Sequence, residues 1–424
     1  MEVTVLFSVF VLGLILGIPI AATLGLSSLV YIIISGIPAV IMPQKMYAGM
    51  DVFVLLSIPG FILAGNLMNH GGITTRIVRF ANSVVGWIKG GLGLTNIAAS
   101  MLFGGITGTA VADAASIGGV MIPGMKKAGY PADFSAAITA ASSTVGPIIP
   151  PSVPMIIVGA LSGISVGQMF LAGAIPGILM GLAMMVTAYL ISIKYGYPSQ
   201  SWRGFNEVVR SFSNAFWALA MTFLIIYGLL SGFSTPTETA VVASLYAFVV
   251  GTFIYRELPL RAVPKILVDS AISASGILIL VGFANVFGWI LVSERIPQAI
   301  AVGVLSITEN KYLVILLINI LLLFVGMFME TIAALIILFV PLLSLATAVG
   351  IEPLHFATFA VLNLMIGLTT PPVGVCLFVC SNIAGIPLSS VVKAILPFLL
   401  TNIMVLMAVS YIPAIATWLP SLLK

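Results

Sequence analysis

Hydrophobic positions in this chain run on without alternating. Apolar stretches fall near 4–34, 52–68, 92–122, 134–161, 169–193, 215–233, 239–254, 264–293, 297–307, 312–349, 354–384 and 389–419. A strand of a membrane β-barrel alternates apolar and polar residues with a period of two. Unbroken runs of this length predict helices in apolar surroundings, and at about 20 residues per crossing there is room for roughly ten to fourteen membrane segments. The expected fold is an all-α polytopic membrane protein. The first run, MEVTVLFSVFVLGLILGIPI, has no positive n-region and carries Glu2. It is expected to stay as a membrane segment and not to be cleaved as a signal.

Composition agrees. The 424 residues are 61% hydrophobic and 7% charged, with a mean hydropathy of +1.24. A soluble domain carries roughly 25% charged residues. The net charge of +4 is spread over short loops and does not suggest nucleic-acid binding; the implied partner is the lipid bilayer. Basic residues gather in two loops, Lys194, Arg203 and Arg210 against Glu207, then Arg256, Arg261 and Lys265 against Glu257. Two spans joined by STPTE lie between them, so both loops can face the cytoplasm, as positive-inside topology requires. The only cysteines, Cys376 and Cys380, share a helical face in an apolar stretch and read as small core residues. With only His70 and His355 in the chain, a dedicated transition-metal site is not expected.

The punctuation of these runs repeats. VGPIIPPS (145–152) has a counterpart in IGLTTPPV (366–373), and the glycines and prolines of the two regions pair at one offset. Gly105 pairs with Gly326, Gly129 with Gly350, Gly146 with Gly367, Pro150 with Pro371 and Pro151 with Pro372, each 221 residues apart. The chain thus holds two related halves, roughly 92–194 and 313–419. Interrupted apolar segments at matching places in two halves mark the binding site of a secondary transporter. Proline removes an N–H and clashes with the preceding turn. In hydrocarbon an unpaired backbone group costs several kcal/mol, so the freed carbonyls call for water, a cation or a polar solute. The half-helix that restarts after the break points its positive end at the same spot, which suits a carboxylate. Each half holds a second candidate break, FGGITGTAVAD (103–113) and GMFMET (326–331), which reads as the tip of a re-entrant hairpin.

VGPIIPPS, GLTTPPVG, GMFMET, GFSTPTETAVVASLYAF and GGITGTAVADAASIG together resemble the large membrane subunit, M or DctM-like, of tripartite ATP-independent periplasmic (TRAP) transporters, over nearly the whole chain. The resemblance implies a sodium-driven importer of an organic acid in the bacterial inner membrane. Sialic acid and C4-dicarboxylates are the expected solutes, sialic acid first. A periplasmic substrate-binding protein would deliver the solute, and a small four-helix subunit (Q), expected as a separate chain, would accompany this one. The implied fold is of the elevator type: inverted repeats with two re-entrant hairpins and two broken helices. Sodium is the only ion implied, with no cofactor and no catalytic residue. The shortage of titratable groups at the breaks fits sodium better than a proton relay, which needs buried carboxylates or histidines along its path.

The first expected sodium site joins the hairpin residues Gly105, Thr107, Gly108 and Thr109 to Ser142, Ser143, Val145 and Gly146 at the break. The second joins Gly326, Met329 and Glu330 to Gly367, Thr369 and Thr370. Hydroxyls and carbonyls are hard donors suited to a small cation, though Ser, Thr and Gly also serve close helix packing. Thr107, Ser152, Glu330, Pro150 and Pro371 are the candidates for touching the solute. Asp113 and Glu330 are acids within apolar runs, either functional or placed to stabilise the start of a helix. Glu238 follows Thr235 and Pro236 as in a capping box.

GISVG (163–167) matches a nucleophile elbow, which needs a strand–turn–helix and a histidine partner not evident here. GWIKG, GAIPG and GILMG suggest close helix packing. Residues 70–89 mix Arg76, Arg79 and Lys89 with apolar positions, as an interfacial helix does. It could brace a scaffold, meet the small subunit or rest on the membrane surface. The chain divides into N-terminal scaffold (1–91), first transport repeat (92–194), central scaffold (195–312) and second transport repeat (313–424). A self-sufficient sodium–carboxylate symporter, an intramembrane hydrolase using Ser165 and a passive channel are the other readings.

Overall fold

The computed structural model describes residues 2–422, except the side chains of 105–107. Among the described residues there are twenty α-helices and no strand. The N-terminal group is α1 (Glu2–Ile15), α2 (Ile20–Ile34), α3 (Ile41–Met50), α4 (Ser57–His70) and α5 (Ile73–Val85). The next is α6 (Gly91–Thr107), α7 (Ala110–Lys127), α8 (Ala132–Ser143), α9 (Val153–Ser162) and α10 (Val166–Tyr195). The central helices are α11 (Phe205–Leu230), α12 (Pro236–Val249), α13 (Val263–Ser293) and α14 (Ile296–Leu305). The last group is α15 (Lys311–Gly326), α16 (Thr331–Ala348), α17 (Pro353–Gly367), α18 (Val375–Ala384), α19 (Leu388–Tyr411) and α20 (Ala414–Ser421).

Among the described residues seven helices are long and apolar enough to cross a membrane, or eight if the bent pair α8–α9 counts as one span. This is fewer than the roughly ten to fourteen that the length allows, because several apolar runs fold back on themselves. The run 4–34 is one case. Gly17 takes a φ of 72° and Pro19 precedes α2, so the chain turns there, and the Ser35 hydroxyl donates to Glu2 (2.8 Å) across the open ends. The run 92–122 likewise becomes the pair α6–α7, turning at Gly108 (φ 64°), and the run 312–349 becomes α15–α16.

These two pairs enter from opposite ends of the molecule. Lys126, at the base of α6–α7, donates to the Ala384 carbonyl (2.8 Å), just before α19 begins. At the far end of α19 the Tyr411 hydroxyl donates to the Tyr312 carbonyl (3.1 Å), at the base of α15–α16. The 24 residues of α19 separate the two bases by about 36 Å at 1.5 Å per residue. The breaks pack crosswise: α18 lies against α7 and α8, while α9 lies against α16.

The amphipathic segment forms α5, which packs on α6 and α11. Ile73, Thr74, Ile77 and Ala81 are its buried face. Arg79 pairs with Glu207 (2.8 Å) and Arg76 with Glu257 (2.7 Å), while Arg76 also sits 4.0 Å from the Tyr255 ring centroid. One helix thus touches both basic loops, which places them at the same end, and it braces α11 against α6. The glycines of GAIPG and GILMG, Gly173, Gly177 and Gly181, receive Met155, Ile149 and Met101 where any Cβ would collide. They let α10 close on the first break and on α6.

Candidate functional site

The site is built from two crossings, each of a hairpin leg over a broken helix. In the first, α6 passes the turn that follows α8 at Gly104 and Gly146. A Cβ on Gly104 would fall on the Gly146 α-carbon, and one on Gly146 would lie 3.0 Å from the Gly104 α-carbon. In the second, α15 passes α17 at Gly326 and Gly367, where a Cβ on Gly367 would lie 2.6 Å from the Gly326 α-carbon. The offset of 221 selects Gly105 as the partner of Gly326. The geometry instead gives that place to Gly104, so the hairpin leg is out of register by one residue. Gly105 and Thr107 fall among the residues whose side chains are not described.

Polar side chains bridge each crossing one or two turns away. Asn96 on α6 donates to the Thr139 hydroxyl (2.6 Å) and accepts from Ser142 (3.2 Å), which in turn accepts from Ser100 (3.1 Å). In the second crossing Asn363 on α17 donates to the Asn319 side-chain oxygen (2.8 Å) on α15, and Asn319 donates to Ser410 (3.1 Å). Asn96, Ser100, Asn319 and Asn363 were not singled out by the sequence. An isolated asparagine in an apolar helix was the available signal, since a buried amide needs partners.

At the breaks the helix ends and the hydroxyls turn back. Chain 144–152 leaves the α-helical path after Ser143, makes one 3₁₀ turn at Gly146–Ile148, and restarts as α9 bent by 41°. Ser152 caps α9, accepting from the Met155 N–H (3.3 Å). Gly108 at the hairpin turn is buried against Pro151 and Val153, so the first tip touches the restarted helix. Val145 is fully buried, and Thr109 flanks α7 without capping it. Ser143 donates to the Ala140 carbonyl (2.8 Å), and Thr369 and Thr370 both donate to Ile366 (2.9 Å each). Each hydroxyl proton is thereby engaged within its own helix, while the oxygen keeps lone pairs for another group. In the second break the Cys376 N–H donates to the Leu368 carbonyl (3.1 Å) and the Gly374 N–H reaches Met327 (3.5 Å). Met329 is half-buried beside that turn, and Pro150 is buried while Pro371 is half-exposed.

The two acids differ. Asp113 is completely buried, and neither carboxylate oxygen has a hydrogen-bond partner among the described residues. Its Oδ2 lies 3.4 Å from where a Gly146 Cβ would stand, so it faces the first crossing. Glu330 flanks α16 and accepts from the Ile332 (2.9 Å) and Ala333 (3.3 Å) N–H groups as an N-cap. Glu238 completes a capping box with Thr235, accepting from the Thr235 N–H (2.8 Å) while Thr235 accepts from the Glu238 N–H (3.3 Å). Cys376 and Cys380 are buried in the core, Cys376 beside Ser143 and near Asp113. Ser165 flanks α10 in a helix–helix connection and has no strand beside it.

An all-helical chain with crossed hairpins and broken helices, and with membrane-length apolar helices, is a multi-pass membrane protein. The chain matches the tripartite ATP-independent periplasmic transporter, DctM component, over residues 6–415, and it belongs to that family. It is 43% identical to the sialic acid TRAP transporter large permease protein SiaM of Vibrio cholerae, over 96% of this chain and 95% of that one. It is 38% identical to the C4-dicarboxylate large permease DctM of Pseudomonas aeruginosa, over 89% and 88% of the two chains. The isethionate permease DctMQ of Oleidesulfovibrio alaskensis is 38% identical over 97% of this chain, which spans 65% of that relative. Among solved structures, the fold is shared with the Alcanivorax borkumensis YdaH transporter, at a TM-score of 0.61 and 13% identity, over 89% and 87% of the two chains.

Proposed function

We propose that this chain is the large permease of a sodium-coupled importer of an organic acid. Sialic acid or a C4-dicarboxylate is the solute, delivered by a periplasmic substrate-binding protein across the bacterial inner membrane. The observation that carries the reading is Asp113, a buried carboxylate whose oxygens have no hydrogen-bond partner among the described residues, beside the glycine crossing of a broken helix. A buried charge is retained where something pairs with it, and here a small cation would do so. Ser143, Val145 and Gly146, with Gly108 and Thr109 of the hairpin turn, supply oxygen donors around it. The second site draws on Gly326, Met329, Gly367, Thr369 and Thr370. The solute is held between the tips by Ser152, Glu330 and the residues at Pro150 and Pro371.

The opposed entry of α6–α7 and α15–α16 and the crosswise packing of α9 and α18 support two inverted repeats that move as one body against the remaining helices, as in an elevator. The relative DctMQ extends beyond the part matched here, and a small permease is the membrane partner proposed for this chain.

The test is uptake in proteoliposomes holding the large and small permeases, with and without the binding protein and with sodium or potassium outside. Concentrative uptake is expected only with sodium and the binding protein together. Uptake undiminished without the binding protein favours a self-sufficient symporter. Equal uptake in potassium overturns sodium coupling.

A further inference from the structure

A cavity of about 410 Å³ lies away from the two crossings, between α3 and α13 on one side and α9 and α16 on the other. That is within the range of roughly 300–1,000 Å³ typical of small-molecule sites. Its walls are largely aliphatic, with Leu161, Val281, Leu291, Ile336 and Val340 among them. Lys45 is the one charged residue lining it. The Lys45 ammonium stands 5.4 Å from the Trp289 ring centroid, and among the described residues no carboxylate lies within ion-pair distance of it. The Asn285 amide donates to the Lys45 carbonyl (2.7 Å), which fixes this turn of α3 on α13. Gly288 also lines the space, and a Cβ there would meet nothing within 4 Å.

We infer that this cavity binds an amphipathic monocarboxylate, with its head on the Lys45 ammonium and its apolar body against Leu161 and Ile336. The lone cation selects one negative charge. A second carboxylate or a polyol would have to leave hydroxyls or charge against aliphatic walls, where an unpaired polar group is costly. A hydrocarbon body gains from the same walls in proportion to the area it removes from water. The inference stands on the cavity alone and does not depend on sodium coupling or on the transported solute.

The test uses the full chain in lipid nanodiscs and 2-bromododecanoate, whose bromine sits beside the carboxylate, and so beside Lys45 and Trp289 in the proposed pose, and quenches an indole on contact. Of the five tryptophans only Trp289 lines the cavity. Saturable quenching is expected above a linear background from probe in the bilayer. Trp289→Phe should remove the saturable part. Gly288→Leu fills the cavity and should abolish it while Trp289 remains; gel filtration and thermal unfolding check that this variant is folded. Lys45→Met should weaken apparent affinity about tenfold, the change expected when one charge-assisted contact is lost. Neutral 2-bromododecan-1-ol should bind as weakly to the wild type as the acid does to Lys45→Met. The inference is overturned if the wild type shows no saturable quenching, if Gly288→Leu or Lys45→Met matches the wild type, or if the alcohol binds as well as the acid.

Discussion

Adding one methyl group at the glycine crossings should separate their members sharply. In Gly367→Ala the new carbon would stand 2.6 Å from the Gly326 α-carbon, 2.7 Å from its carbonyl carbon and 2.9 Å from its oxygen. Carbon atoms in good contact sit roughly 3.5–4.0 Å apart, so α15 and α17 would have to part by about 1 Å. All three obstacles are backbone, so no side chain can rotate away. Overpacking of this kind costs about 1–3 kcal/mol, and the upper half is expected here because two helices must move together. The reverse change is milder, since Gly326→Ala places its carbon 3.1 Å from the Gly367 α-carbon. The first crossing has the opposite order: Gly104→Ala strikes Gly146 backbone, whereas Gly146→Ala lies 3.0 Å from the Gly104 α-carbon. Gly119→Ala is the control, because nothing lies within 4 Å of its added carbon. It should gain up to about 1 kcal/mol from helix propensity. The assay is thermal unfolding of detergent-purified protein followed by gel filtration. Gly104→Ala and Gly367→Ala should fall several degrees below their partners Gly146→Ala and Gly326→Ala. If all four behave like Gly119→Ala, the close crossings do not exist as described.

Three further outcomes follow from the same geometry. Asp113→Asn removes a buried carboxyl that no described residue satisfies, so it should raise thermal stability in potassium buffer yet lose the added stability that sodium gives the wild type. That gain is about 2.7 kcal/mol at a hundredfold excess over the dissociation constant, and an equal sodium response in Asp113→Asn refutes the first site. Glu330→Ala removes an N-cap and should cost about 1 kcal/mol, whereas Glu330→Gln keeps a capping oxygen and should unfold near the wild type. Loss of uptake in Glu330→Gln then marks a role beyond capping, and full uptake leaves only the cap. Arg76→Ala breaks a partly exposed ion pair and a ring contact, together about 1 kcal/mol. The deficit should shrink in high salt, and one that does not would place the loss in packing.

Much of this arrangement was readable because membrane helices must satisfy their own backbone. A double proline in an apolar run has few tolerable explanations, so VGPIIPPS and IGLTTPPV marked the breaks, and Thr235-Pro236-Thr237-Glu238 marked a helix start. What the residues did not carry was distance between segments. Gly104 and Gly105 are adjacent and alike, and a sequence offset cannot tell which one meets Gly146; only the rotation of α6 against α8 decides it. The turn at 16–19 was missed for a related reason, since a run of 31 apolar residues reads as one long span until Gly17 and Pro19 are weighed together. Asn96 and Asn319 were passed over because each is single, and their meaning comes from Ser142 and Asn363, more than forty residues away in the chain.

The two crossings share their glycines but not their charge. Asp113 lies inside the first turn of α7 with neither oxygen hydrogen-bonded among the described residues, whereas Glu330 precedes α16 and spends one oxygen on two N–H groups. A carboxylate already accepting from a helix start is the poorer partner for a cation, because the backbone dipoles have satisfied part of its field. On the sodium reading, the first crossing would therefore offer a carboxyl that no described residue satisfies, and the second mainly neutral oxygens from Thr369, Thr370 and the freed backbone. Such a site holds sodium more weakly, and a solute carboxylate placed between the tips would supply the charge it lacks. On that reading the second crossing would be the place where solute and sodium strengthen each other's binding. By linkage, sodium must then raise solute affinity by the factor that solute raises sodium affinity.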